Sequence, residues 1–259
     1  MLSLLIWWFG ISLETFILLR AFSAKLFGTY PFFYTYIFTV WIFDFPLYFL
    51  YTHRADAALY NKYYWIAQFV SLMTGYGILL EIFKHVLALY PGAEKLARTA
   101  VVAAFALIVS FVTIYAFLAP ARSAAETATQ RTATGLERDL RAVQAIFLFI
   151  LLAAIFYYGI RIGRNMKGMV FGYGIYVATS LMALAVRAYP RLPVHAAWNA
   201  IQPFCYDVSL FVWLIALWSY APTPVSAGPR LETDYEAVAA TTRAALEATR
   251  EYLAKGVRS

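Results

Sequence analysis

Four carboxylates stand in stretches that are otherwise apolar: Glu14, Asp44, Glu81 and Asp207. An ionised acid at the centre of a bilayer costs about 2.5 to 3.5 kcal/mol on insertion scales. Each of the four therefore calls for a polar neighbour, and the chemistry open to such groups is ligand binding, proton transfer or ion pairing that orders helices. Over 198–220, WNAIQPFCYDVSLFVWLIALWSY, helical spacing puts Gln202, Tyr206 and Ser209 on one face. Asn199 lies one turn before them and Asp207 on the adjacent face. Pro203 frees the carbonyl of Asn199 and Pro46 that of Ile42, breaks that spans tolerate where protein or a wet cavity satisfies the freed group. Asp44, Arg187, Gln202, Tyr206 and Asp207 thus form a candidate site for a small polar ligand. The alternative is that Asp44 and Asp207 pair with Arg187 and backbone groups, fixing helix order only.

A second candidate cluster comprises Glu14, Glu81, His85 and Arg161. Ser71, Thr74, Glu81 and His85 share one helix face, and a Glu–His chain is suited to proton relay. In the competing reading Glu81 bonds Arg161 or Arg20, while His85 and Lys84 reach toward head groups. Other chemistries lack their residues. The last span has no lysine for a retinal Schiff base; His53, His85 and His195 lie at span ends on both sides with no zinc-binding motif; and no G-x-S-x-G elbow or paired intramembrane histidines for haem occur. No catalytic residue, metal or cofactor is expected, and an enzyme is the least supported class.

The elements that would position these groups are membrane helices. Hydrophobic residues make up 63% of the chain and charged ones 14%, against about 25% charged in soluble domains. Apolar segments at 1–19, 30–51, 64–89, 99–119, 142–163, 168–189 and 198–220 predict seven spans in an all-α bundle over 1–220. The first is expected to remain as an uncleaved span. Tyr and Trp gather near the segment ends in the pattern of an interfacial belt. Residues 120–141 read as the one long loop, with Thr134 and Glu137 as a capping box that starts the fifth helix near Gly135. Gly159 with Gly163, and Gly168 with Gly172, have G-x-x-x-G spacing and suggest close packing within the bundle. RIGRNMKG between them forms a basic turn suited to anionic head groups.

A proline-rich linker, 221–229, separates the bundle from 230–259, where Thr233 and Glu236 form a second capping box. Leu231, Tyr235, Val238, Thr242, Ala245, Thr249 and Tyr252 recur at heptad spacing. This amphipathic helix could lie on the membrane, bind another protein through 230–256, or cap its own bundle. The net charge of +7 fits loops facing anionic lipid, and no basic run suggests nucleic acid. The sole cysteine, Cys205, excludes a disulfide framework. Lys and Arg counts tie between the two sides until the tail is included, which favours a cell-membrane protein with its N-terminus outside and its C-terminus in the cytoplasm.

LETFILLRAF at 13–22, FPLYFLY at 45–51, GRNMKGMVFGYGIY at 163–176 and ALWSYAPTP ahead of LETDYEAVA together resemble an uncharacterised family of bacterial membrane proteins with seven predicted spans and a short C-terminal helix. The resemblance supplies no activity, cofactor or site residue. The residues themselves favour a small sensor or signalling-coupled protein with an outer polar cavity. A proton-coupled carrier using Glu14, Glu81 and His85, or a non-catalytic subunit of a larger membrane complex, are the alternatives.

Overall fold

A computed structural model describes residues 2–53, 56–88, 90–118, 125–188, 195–219 and 229–256. Its described residues hold eight α-helices and no strand: α1 (Leu2–Ser23), α2 (Pro31–Thr52), α3 (Ala57–Val86), α4 (Pro91–Leu118), α5 (Ala125–Tyr158), α6 (Arg164–Ala188), α7 (His195–Leu217) and α8 (Pro229–Gly256), with a 3-10 turn at Leu26–Gly28. Helices are what apolar segments of this length form where lipid offers the backbone no hydrogen bonds. Five of them, α1, α2, α3, Gly135–Tyr158 of α5 and Arg164–Val186 of α6, are long and apolar enough to cross a membrane. The chain is accordingly a polytopic, membrane-type helical protein, with large apolar side chains such as Phe149, Phe156 and Phe171 turned outward.

Six helices close a ring in which each packs on the next, in the order α1, α2, α3, α5, α6, α7 and back to α1. Helix α4 packs outside the ring against α3 and α5, and α8 touches α4. The tightest seam joins α6 and α7. A methyl group at Gly168 would overlap Ala216, and one at Gly172 would overlap the indole of the fully buried Trp213, which donates from Nε1 to the Met169 carbonyl at 3.2 Å. Backbones approach here because side chains are missing.

Several boundaries depart from the sequence expectations. Helix α3 starts at Ala57, where the Asp56 side chain accepts from the Ala58 N–H at 3.1 Å, an N-cap beyond the apolar window. Helix α5 begins at Ala125 rather than near Gly135. The 120–141 segment is therefore mainly helix and not a long loop, in keeping with the high helix propensity of its Ala, Glu, Gln and Arg residues. Helix α8 likewise begins at Pro229, a favoured first-turn residue, so Thr233 lies inside it and does not open it. Gly159 is not a packing glycine: it ends α5 with φ 62°, and the Ile160 N–H bonds the Ile155 carbonyl at 3.0 Å. That is the left-handed closure for which glycine is suited. The linker at 221–228 lies outside the described residues.

The basic turn leaves Arg161, Arg164 and Lys167 exposed and also packs against the end of α7. Asn165 donates from Nδ2 to the Ala216 and Ser219 carbonyls at 2.8 and 2.9 Å, Arg164 bonds Ser219, and Arg20 Nε reaches the Trp218 carbonyl at 2.6 Å. These donors occupy carbonyls left open at the end of α7, where cations are also favoured by the helix dipole.

Candidate functional site

The ring encloses a cavity of about 440 Å³, within the range of roughly 300 to 1,000 Å³ typical of small-molecule sites. Every ring helix contributes to its wall: Trp7 and Gly10 from α1, Asp44 from α2, Gln68 and Ser71 from α3, Glu137 and Arg141 from α5, Tyr176 and Ser180 from α6, and Gln202, Tyr206 and Asp207 from α7. Most of these lie toward the N-terminal ends of α1, α3 and α7 and the C-terminal ends of α2 and α6. Since neighbours along the chain alternate in direction, they gather at one end of the bundle, the end holding the start of α1.

The acidic side of the wall is built on close helix contact. A Cβ at Gly10 would stand 2.9 Å from Asp207 Oδ1, so the missing side chain admits the Asp207 carboxylate against α1. Asp44 faces it with the Trp7 indole alongside, and Glu14 lies within electrostatic reach of both. Glu14 is fully buried; its Oε1 accepts from the Tyr206 hydroxyl at 2.8 Å, while Oε2 has no partner. The Thr15 hydroxyl accepts from Trp41 Nε1 at 2.9 Å and fixes α1 to α2 one residue away.

Opposite the acids stands Arg141. It is 1% exposed, its Nη2 donates to the Tyr176 hydroxyl at 2.8 Å, and its guanidinium carbon lies 4.7 Å from the centre of the Tyr176 ring. Nε and Nη1 have no hydrogen-bond partner. Glu137, one turn earlier on α5, also buries an unpartnered oxygen, as does the amide of Gln144 one turn later. Between the basic and acidic sides the rings of Tyr36, Tyr176 and Tyr206 pack in sequence, at 5.8 and 5.6 Å between centres. The only ion pair among the described residues is Arg138 with Asp139, on the surface at 3.2 Å. The wall thus carries both signs of charge, with Asp44 and Asp207 on one side and Arg141, beside Glu137, on the other. Arginine stays protonated in proteins, and a buried charge is costly without a partner.

Of the residues expected in the ligand site, Asp44, Gln202, Tyr206 and Asp207 line this one cavity. The side chain of Arg187 lies outside the described residues, and the cation that the structure places in the cavity is Arg141. In the sequence Arg141 falls among the loop charges, because the apolar window begins after it. The signal was nevertheless present: Glu137, Arg141 and Gln144 continue the stripe of Leu148 and Leu151 at helical spacing, and all five are buried.

The second expected cluster comes apart. Glu14 belongs beside Tyr206, whereas Glu81 sits at the start of α2, its Oε1 and Oε2 accepting the N–H groups of Phe32 and Phe33 at 3.3 and 2.9 Å. Phe33 and Trp41, the neighbour of Thr15, are eight residues apart on α2, about 12 Å along its axis. Glu81 bonds neither Arg161 nor Arg20, since Arg161 is exposed and Arg20 is held at the end of α7. His85 Nδ1 donates to the Glu81 carbonyl at 2.9 Å, and its ring lies 5.2 Å from that of Tyr30. Glu81 and His85 thus hold the α2–α3 joint. Among the described residues no group of three or more His, Cys, Asp or Glu could hold a metal ion.

The chain matches no protein-family model, no curated protein and no solved structure.

Proposed function

We propose that the protein is a seven-span sensor of the cell membrane, in which the ring cavity takes a small ligand and α8 passes the occupied state to a cytoplasmic partner. The observation that carries this reading is the cavity itself, walled by six helices, with Asp44 and Asp207 on one side and, on the other, Arg141 and Glu137 with buried polar atoms that have no hydrogen-bond partner. Such a site answers to an incoming ligand, because groups that lack partners within the protein gain them on binding. Two further crossings complete the seven. Helix α4 has 28 residues and α7 has 23, which at about 1.5 Å each exceed the roughly 30 Å of a hydrocarbon core. With Arg141 moved from loop to wall, the count of loop cations tilts toward a cytoplasmic tail.

Contact between α8 and α4, and of α4 with α3 and α5, supports a route from ring to tail. Ser180 lines the cavity, and Ser180→Phe fills part of it. Spin labels at Val238 on α8 and Leu107 on α4, both exposed, then report the tail. A sensor gives a distance distribution shifted by several ångströms in the folded Ser180→Phe protein; an unchanged distribution contradicts the coupling. A carrier relaying protons through Glu14, Glu81 and His85 is less favoured, since Glu81 caps α2 and lies apart from Glu14.

A further inference from the structure

Beside the cavity lies a second space of different character. Between α3 and α5 an apolar groove of about 350 Å³ is lined by Trp65, Ile66, Phe69, Val70, Leu72 and Leu136. Gln68 and Glu137 border both spaces. The groove faces outward, for Ile66 and Phe69 are 44% and 48% exposed on the surface that an apolar bundle turns to lipid. At the junction Gln68 Nε2 donates to the Tyr64 hydroxyl at 3.0 Å, and Glu137 turns its unpartnered oxygen into the buried side. A chamber that carries charged groups thus lies beside an apolar groove on the outward face, with Gln68 and Glu137 on the border of both.

We infer that the ligand is a single-chain amphiphile with a zwitterionic head, its anionic group on Arg141, its cationic group toward Asp44 and Asp207, and its hydrocarbon chain leaving past Gln68 and Glu137 into the α3–α5 groove. This rests on the cavity being a ligand site and specifies what enters it. Among the described residues Arg141, Asp44 and Asp207 form no ion pair, and although Glu137 acts on Arg141 from one turn away, the guanidinium keeps two nitrogens without acceptors, so one molecule carrying both signs satisfies both walls. An anion on Arg141 gains charge-assisted hydrogen bonds from Nε and Nη1. A water-soluble zwitterion would explain the chamber but not the apolar groove beside it; a hydrocarbon chain passing between Gln68 and Glu137 explains both, since it comes from and remains in contact with the membrane.

The test uses the full chain in phosphatidylglycerol nanodiscs, with Cys205→Ser and a single cysteine from either Ser180→Cys in the chamber or Phe69→Cys in the groove. Modification is followed with a water-soluble thiosulfonate at the first and a lipid-soluble maleimide at the second. Three probes are compared: lysophosphatidylethanolamine, which has both head charges and a chain; glycerophosphoethanolamine, the same head alone; and lysophosphatidylglycerol, which lacks the cation. The expected result is at least a fivefold slowing at both positions with lysophosphatidylethanolamine and little with the other two. Equal protection of Ser180→Cys by the soluble head, with Phe69→Cys unaffected, overturns the amphiphile and leaves the ligand site standing. Protection by lysophosphatidylglycerol equal to that by lysophosphatidylethanolamine overturns the zwitterionic head. If no probe slows either reaction the inference fails. If Ser180→Cys does not react even without probe, the cavity reading fails first.

Discussion

At the scale of single residues, carboxylates that look alike in sequence do different work. Glu81 closes the start of α2 from a neighbouring helix, taking two N–H groups that have no partner within their own helix. Gln at this position keeps one acceptor oxygen and turns an NH2 toward a second donor. Glu81→Gln should therefore destabilise the bundle by about 1 to 3 kcal/mol, as loss of a buried charge-assisted bond does, measured by chemical unfolding in bicelles. Glu14→Gln, which keeps an acceptor for Tyr206 and has an oxygen without a partner, should cost markedly less. Equal losses would show that Glu81 has no special place at the helix start. The need of each acid for a polar neighbour was legible in the sequence, but the neighbours were not. Backbone N–H groups at the start of another helix leave no mark in residue types, and Arg141 was hidden by its position ahead of an apolar window.

At the scale of elements, the glycines divide by what surrounds them. The G-x-x-x-G spacing is the same for both pairs, yet Gly159 ends α5 in a left-handed turn while Gly168 and Gly172 let α6 meet α7. Spacing alone cannot separate these, because the difference lies in whether the helix goes on. Gly172→Ala must displace Trp213, a rigid ring that is wholly buried and hydrogen-bonded to Met169. It should cost about 1 to 3 kcal/mol, the usual penalty for overpacking. Gly135→Ala, with open space around it in α5, should be neutral or stabilising by up to about 1 kcal/mol because a helical glycine is replaced. Unfolding of the two variants side by side checks the contrast, and a tolerated alanine at 172 would mean the seam is looser than the contacts imply. Helix existence was readable from apolar length, whereas helix ends were not. Asp56, Pro91 and the Ala-rich start of α5 extend helices beyond the apolar windows, since capping and propensity act without hydrophobicity.

At the scale of the whole molecule, six helices surround a chamber that carries charged groups, and an apolar groove lies beside it between α3 and α5. The all-helical membrane class follows from composition. The closed ring does not, since it depends on α5 passing between α3 and α6 while α4 stays outside, a matter of which faces fit together. Buried polar atoms without partners on Glu14, Glu137, Arg141 and Gln144 would be an unfavourable way to build a bundle for stability alone, because a buried charge left without its partner is costly. Their arrangement is understandable when water or a ligand reaches them.

Whether water does so is tested most directly by comparing two positions on α6, nine residues apart, that face opposite ways. In the Cys205→Ser background, Ser180→Cys lies in the chamber and Phe171→Cys on the outward surface, where Phe171 is 63% exposed. A membrane-impermeant thiosulfonate, applied to the protein in sealed vesicles from the side holding the N-terminus, should modify Ser180→Cys at least tenfold faster than Phe171→Cys. Equal slow rates at both would mean that the chamber is closed and dry, and the account of a ligand site within the bundle would be wrong.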